Sequence, residues 1–405
     1  MSKKGSQCRW RFPTILCALL ATLSLGWAQP LPPTLNALAA IVIDADTGQV
    51  LYSKNAELPL PPASTTKIMT GLLLAEKCEP DEVITAPADT TQVRESSMHL
   101  VAGEQVKAEE MLYALMLRSA NDGCHAVACH IAGSDAEFAK VMNSRAKQIG
   151  CTHTNFVNPH GLNDPKHLTT AHDLALIARE AMQNELFAKV VGTQRKAIER
   201  SSNLKDTLMV TRDKWLALDP SAKGVKTGFT KEAGHCFVGC AQRGDMTVIT
   251  AIMKSDTWLQ DQIALTDWAY KTFERRKVVS KGEKLFSVPV TGGKAKSVEL
   301  VADRDVFSLQ PKAGPSVGAV SDKPTVVLKA PISKGQVCAE SEFVAPGGVH
   351  VPFGLVSETA VEAQPPVYAM LTNPVSLVIF VALGGSALWM RARSRRLADL
   401  EWSRR

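Results

Sequence analysis

The feature that most constrains this chain is a helix without a polar face. Pro61 and Pro62 stop an extended run, and the segment that opens with Ala63 and Ser64 then carries Ile68, Met69, Leu72, Leu73 and Leu74 nearly all the way around. A helix so apolar has to be enclosed by the rest of the protein, and whatever stands in its first turn is held at the margin of a core. That first turn reads Ser64-Thr65-Thr66-Lys67.

The remaining sequence supplies the enclosure. Alternating apolar residues from Ala39 to Ile43, a turn at Asp46-Thr47-Gly48 and a second run from Val50 to Tyr52 predict a hairpin. Helices are predicted from Ala108 to Leu117, from Asn121 to Ile131, from Ala136 to Gln148, and from Thr170, which with Asp173 makes a start resembling a capping box. Cys236 to Ala241 and Met246 to Met253, joined through Arg243-Gly244-Asp245, predict a central antiparallel hairpin, and Trp258 to Phe273 a further helix. From Phe286 to Val356 the pattern changes to short runs broken by glycine and proline, among them Val298 to Val301, Thr325 to Leu328 and Val349 to Pro352. The expected architecture is α/β (α+β): a central antiparallel sheet flanked by helices over residues 29–276, followed by a small all-β sandwich over 284–356. With 405 residues, 45% hydrophobic, the chain can fill two cores.

Both ends carry membrane signals. Residues 1–28 combine a cationic start, an apolar run from Ile15 to Leu25 and small residues at Gly26 and Ala28, the pattern of a cleaved secretory signal peptide. No charge occurs from Pro366 to Met390, and arginines follow at 391, 393, 395 and 396. This predicts a spanning transmembrane helix over 367–390, joined by a flexible neck at 357–366, with a basic tail over 391–405 on the cytoplasmic side of a bacterial cell membrane. The main domain would then work outside the cytoplasm. The two ends also hold the excess charge: four net positive charges at each exceed the whole-chain +6, so the body between them is slightly acidic and no nucleic-acid partner is expected.

Cysteine and histidine point to little. Without Cys8 and Cys17 of the signal, Cys78, Cys124, Cys129, Cys151, Cys236, Cys240 and Cys338 remain, an odd and scattered set that is no disulfide framework. Cys124, His125, Cys129 and His130 briefly suggest metal ligands, His125 and Cys129 being four apart on a predicted helix. Without a second ligand pair of finger-like spacing, buried thiols and satisfied histidines are expected, and no metal or cofactor.

Three short motifs occur in order: Ser64-Thr65-Thr66-Lys67, Ser119-Ala120-Asn121 and Lys226-Thr227-Gly228. Singly they say little, since a chain of this length contains about one or two Ser-x-x-Lys by chance. Their settings say more. Serine and lysine three apart at a helix start share a face, so the amine can reach the hydroxyl. Burial, the positive end of the helix dipole and a second cation at Lys226 would lower the lysine pKa and let it take the serine proton. Lys226-Thr227-Gly228 lies just before a strand, as on an edge lining a cleft, where Lys226 and Thr227 can bind a carboxylate and Gly228 leaves room for an extended peptide. Ser119 and Asn121 fall at a loop-to-helix junction, placed to relay a proton and hold a carbonyl. Together the three describe one acyl-transfer site.

These motifs, with "ASTTKIMT", "LRSANDGCHAVA", "FVNPHGL", "TTAHDLALIAREAM" and "GVKTGFTKEAGHCFVG", resemble the low-molecular-mass penicillin-binding proteins of the D-alanyl-D-alanine carboxypeptidase family. The resemblance covers most of residues 35 to 355. It implies a penicillin-binding, β-lactamase-like transpeptidase fold, peptidoglycan stem peptides ending in D-Ala-D-Ala as substrate, and β-lactams as inhibitors. It further implies Ser64 as acyl-ester nucleophile, Lys67 as proton acceptor, Ser119 as proton relay, Asn121 and Lys226 as substrate ligands, and the backbone N–H groups of Ser64 and Phe229 as oxyanion hole. Some members carry an arginine near the position of Trp258 that helps hold the terminal carboxylate; no counterpart is found here. Cleavage of cross-links is open within the same chemistry. A β-lactamase would need a glutamate-held water, for which Glu180 and Asn184 have the spacing but lie in a helical run. An inactive peptidoglycan-binding protein is disfavoured by the intact Ser64, Lys67 and Lys226.

Overall fold

The computed structural model describes residues 30–93, 95–365, 382–383 and 385–395. The signal segment 1–28 lies outside these residues, as does most of the expected span 367–390. No helix among the described residues is long and apolar enough to cross a membrane.

In chain order the first body contains β1 (Ala39–Asp44), β2 (Val50–Lys54), α1 (Lys67–Lys77), β3 (Val83–Thr85), β4 (Gln105–Lys107), α2 (Ala108–Tyr113), α3 (Asn121–Ala132), α4 (Asp135–Ile149), α5 (Ala171–Ala181) and α6 (Glu185–Val191). It continues through β5 (Arg195–Ala197), β6 (Leu208–Val210), α7 (Trp215–Leu218), β7 (Ala222–Thr230), β8 (Gly234–Arg243), β9 (Met246–Met253) and α8 (Trp258–Thr272). Five strands form an antiparallel sheet in the order β2-β1-β9-β8-β7, which leaves β7 on an edge. The hairpins form where the sequence alternates, and the β8–β9 turn closes on Gly244 at φ 62, a backbone that glycine adopts without a Cβ clash.

Alternation along the strands gives the sheet two apolar faces. One packs Ala40, Val42, Phe237, Val248 and Ile252 against Trp215, Leu265, Ala269 and Tyr270. The other packs Ile41, Ile43, Val238, Ile249 and Ala251 against the helical layer. Helix α1 runs through that layer with every residue from Lys67 to Leu74 buried. Gly71 is its point of closest approach: a Cβ there would stand 3.0–3.1 Å from Leu112, Met116 and Phe187. Helix α5 starts as expected, with the Thr170 side chain accepting from the Asp173 N–H.

Two elements depart from the sequence reading. The helix expected to Leu117 is α-helical only to Tyr113 and continues as a π turn over Ala114–Arg118, ending at Ser119 with φ 67. Such wide turns recur at functional sites, and this one sets the serine at the mouth of α3. The run Thr325 to Leu328 is no strand over its length: the Val326 N–H bends back to the Pro324 carbonyl at 2.9 Å. Only Leu328–Lys329 join the sheet.

The second body is all β. It comprises β10 (Phe273–Val279), β11 (Lys284–Thr291), β12 (Ser297–Ala302), β13 (Val306–Pro311), β14 (Ala319–Val320), β15 (Leu328–Lys329), β16 (Val337–Ala345) and β17 (Val349–Ser357). A six-stranded sheet, β14-β16-β17-β12-β11-β15, and the ribbon β10–β13 enclose one core that includes Val279, Val288, Leu300, Val306, Phe343 and Leu355. The neck expected over 357–366 is not free in its first part. Val361 is buried and exchanges backbone hydrogen bonds with Ile332 at 2.8 and 2.9 Å, and the Gln364 N–H reaches the Gly292 carbonyl at 2.7 Å. The apolar valine closes the core, a pull that its polar neighbours hide in the sequence.

Candidate active site

A one-turn 3-10 helix over Ala63–Thr66 leads directly into α1, so Ser64 and Lys67 stand on one face as their spacing requires. The Lys67 Nζ donates to Ser64 Oγ at 3.1 Å, to Asn121 Oδ1 at 2.6 Å and to the His160 carbonyl at 2.7 Å. All three directions of the amine are thus defined. Asn121, expected only as a substrate ligand, also holds this amine. Burial pushes the Lys67 pKa down to about 8, with repulsion from Arg212 adding to it.

The turn that bears Ser64 is clamped from below. Ala63 has φ 49, and the Thr66 hydroxyl donates to its carbonyl at 2.8 Å. Buried His167 lies 2.9 Å from Thr66 Oγ1 through Nε2 and accepts from the Val157 N–H through Nδ1 at 3.0 Å. Burial lowers its pKa to about 4 and that of His160 to about 3, so both rings stay neutral. Gly161 of the "FVNPHGL" stretch packs beneath: a Cβ there would lie 1.9 Å from the Ala63 carbonyl oxygen.

From the other side comes β7. Lys226 is buried, with its Nζ 3.1 Å from the Thr227 carbonyl, and its pKa is pushed well below the ordinary lysine value by burial, then by the Lys67 charge and by Arg212. The charge on Lys67 is the second of these causes, so each amine disfavours protonation of the other. Gly228 does something the sequence did not suggest. Its missing side chain faces the serine turn rather than an incoming peptide, and a Cβ would stand 2.9 Å from Ser64 N, 3.0 Å from Thr65 N and 3.1 Å from the Pro62 carbonyl.

Between these elements lies a cleft of about 380 Å³, lined by Ser64, Ser119, Thr227, Gly228 and Phe229, together with Glu95, Ser96, Arg212, Lys214, His235, Cys236 and Trp258. Ser119 Oγ is buried without a hydrogen-bond partner among the described residues, an orphan that a bound substrate could satisfy. Phe229 is more than half exposed and stacks on His235 with ring centroids 4.5 Å apart. Motif reasoning missed Arg212, whose Nη1 donates to Ser96 Oγ at 2.8 Å and which brings a guanidinium to the cleft from outside the neighbourhood of Trp258. Nothing in its sequence context marks it. The segment carrying Glu95 and Ser96 is set by buried Asp122 at the start of α3, which accepts from the Met98 and Leu100 N–H groups and the Ser97 hydroxyl, while the Asn121 N–H donates to the Ser96 carbonyl.

Glu180 and Asn184 do not line the cleft. Glu180 pairs with Arg145 at 2.6 Å, and Asn184 caps α6 by accepting from the Phe187 N–H.

A serine hydroxyl beside a buried, pKa-lowered lysine, an edge strand with a second buried lysine, and a sheet-and-helix body followed by a β body define a serine acyl-transfer enzyme of the penicillin-recognising class. The comparisons are more specific. The profile of the D-alanyl-D-alanine carboxypeptidase family matches residues 27–257, and that of the penicillin-binding protein 5 C-terminal domain matches residues 273–363. The chain is 33% identical over 311 residues to D-alanyl-D-alanine carboxypeptidase DacF of Bacillus subtilis, covering 74% of this chain and 79% of that protein. Penicillin binding protein 5 from Haemophilus influenzae superposes with a TM-score of 0.68 at 27% identity, covering 82% of this chain and 99% of that one. A peptidoglycan synthesis regulatory factor (PBP3) from Streptococcus pneumoniae gives 0.69 at 25% identity, over 82% and 100%. This chain belongs to the D-alanyl-D-alanine carboxypeptidase family.

Proposed function

We infer that the protein is a serine D-alanyl-D-alanine carboxypeptidase that removes the terminal D-alanine from peptidoglycan pentapeptide stems. The observation that carries the reading is the 3.1 Å contact between Ser64 Oγ and a fully buried Lys67 whose pKa is lowered to about 8. Neutral Lys67 takes the Ser64 proton as Oγ bonds to the penultimate D-alanine carbonyl carbon. The carbonyl oxygen becomes an oxyanion facing the Ser64 and Phe229 N–H groups. When the peptide bond breaks, the leaving amine takes a proton through Ser119, and D-alanine departs. Water then adds to the ester, passes a proton back toward Ser64 Oγ, and frees the shortened peptide. Lys226 and Thr227, with Arg212 nearby, supply the positive and polar surface for the terminal carboxylate, and Asn121 the amide beside the scissile bond.

A β-lactam carbonyl meets the same nucleophile and is expected to leave a slowly hydrolysed ester on Ser64. The signal at 1–28 and the apolar stretch at 367–390 support a single-pass protein of the bacterial cell membrane with its catalytic domain outside. The deciding experiment pairs labelled penicillin with D-alanine release from a pentapeptide. Wild-type chain should do both and Ser64→Ala neither; equal labelling of the two proteins would remove Ser64 from its role.

A further inference from the structure

Around α3 the structure assembles a group that the catalytic reading does not use, with Asp135 Oδ2 4.0 Å from Nε2 of His160, whose carbonyl accepts from Lys67. His125 and Cys129, one helical turn apart, share a face, with Cys129 Sγ 3.7 Å from His125 Nε2 and 4.0 Å from Nδ1. Beyond the Gly133 turn, Asp135 at the start of α4 places Oδ1 2.8 Å from Nδ1, and Asp89 from the connection between β3 and β4 places Oδ1 3.1 Å from Nε2. The donor atoms of His125, Cys129 and Asp135 all lie within 4.8 Å of one another. His125 is only 12% exposed, and Cys129 is half-buried and free of any disulfide.

We propose that His125, Cys129 and Asp135, with Asp89, form a binding site for a divalent transition ion of the zinc class. Zinc takes one imidazole nitrogen and one thiolate at about 2.0–2.3 Å in a tetrahedron, which puts neighbouring donors roughly 3.3–3.6 Å apart; the 3.7 Å between Cys129 Sγ and His125 Nε2 is near this, and the carboxylates, now at 2.8 and 3.1 Å, would move outward by a few tenths of an ångström. A carboxylate stands on each ring nitrogen. Whichever nitrogen binds the ion, one aspartate is beside it as a ligand and the other fixes the ring, the arrangement that orients metal-bound histidines. On binding, Cys129 loses its thiol proton and His125, which faces a carboxylate from each ring nitrogen, loses the proton of the nitrogen that takes the ion; both protons go to solvent, and water fills a remaining position. A hard ion such as magnesium is disfavoured by the sulfur and nitrogen donors. The bound ion would tie the loop at Asp89, α3 and α4 together. Sequence reasoning set His125 and Cys129 aside for want of a second pair, and the missing donors come singly from two other elements. The group Cys78, Glu82 and His130, with a buried cysteine and an exposed histidine, serves as the comparison.

The test titrates the purified, reduced full chain with cobalt(II), which reports a thiolate ligand by a charge-transfer band in the near ultraviolet, and then displaces it with zinc. Expected are one cobalt per chain with that band and a higher Tm with zinc. Cys129→Ser should lose the band, Asp89→Asn or Asp135→Asn should weaken binding about 10- to 100-fold, and Cys78→Ser should change neither. Penicillin labelling of Cys129→Ser shows that the variant is folded. Absence of stoichiometric binding, or a band that persists in Cys129→Ser or depends on Cys78, would overturn the assignment.

Discussion

Gly228→Ala probes how closely β7 must approach the nucleophile. The three atoms nearest the added methyl are all backbone: Ser64 N at 2.9 Å, Thr65 N at 3.0 Å and the Pro62 carbonyl at 3.1 Å. Ordinary contact begins near 3.4 Å, so the strand and the serine turn must part by about 0.5 Å. At these three contacts no flexible side chain end can swing away to absorb the shift. The turn is itself pinned, by Gly161 below Ala63 and by His167 on Thr66, so the strand carries most of the displacement. Because a misplacement of about 1 Å can cost 10²-fold, half of that is expected to slow acylation about 10-fold, with overpacking lowering stability by roughly 1–3 kcal/mol. The assay is the second-order rate constant for a fluorescent penicillin, paired with urea unfolding. A variant that acylates at the wild-type rate would refute the claim that this contact sets the geometry of the site.

Acylation should follow the titration of Lys67. On the proposed mechanism the neutral amine accepts the serine proton, so the rate should rise about 50-fold from pH 6 to 8 and level off above about pH 9, following the lowered value near 8. A log-linear rise continuing to pH 10 would mean that the lysine is not depressed. Away from the cleft, Arg200 and Glu104 form a fully buried pair bonded at 2.7 and 3.0 Å, and Glu104→Ala, which strands the guanidinium, should cost about 3–5 kcal/mol by urea unfolding. A loss below about 1 kcal/mol would show that the other partners of Arg200, the carbonyls of Met98, His99 and Asp206, compensate on their own.

Much of this protein could be read without coordinates, wherever the governing interaction is local. The apolar surround of α1, the alternation in β8 and β9 and the Thr170–Asp173 cap act over a few residues, so their patterns survive in the sequence. The same holds for Ser64 and Lys67, whose contact needs only one helical turn. Patterns of two and three residues failed where a proline bent the chain, at Val326, and where a single apolar residue decided burial, at Val361.

Tertiary structure decided what surrounds those residues. Asn121 and His160, 54 and 93 positions away, hold the Lys67 amine, and the fold removes water from it. Arg212 and Glu95 enter the cleft from loops without a motif, and Gly228 turns out to accommodate the serine turn rather than a ligand. His125 and Cys129 acquire Asp89 and Asp135 only when separate elements meet. Periodicity and spacing are properties of the chain, so the residue types at each helix start and strand edge were legible from the residues alone. Which charges face one another, and so which lysine can be neutral, was decided by packing, because burial and Coulomb repulsion depend on distances that no local pattern encodes.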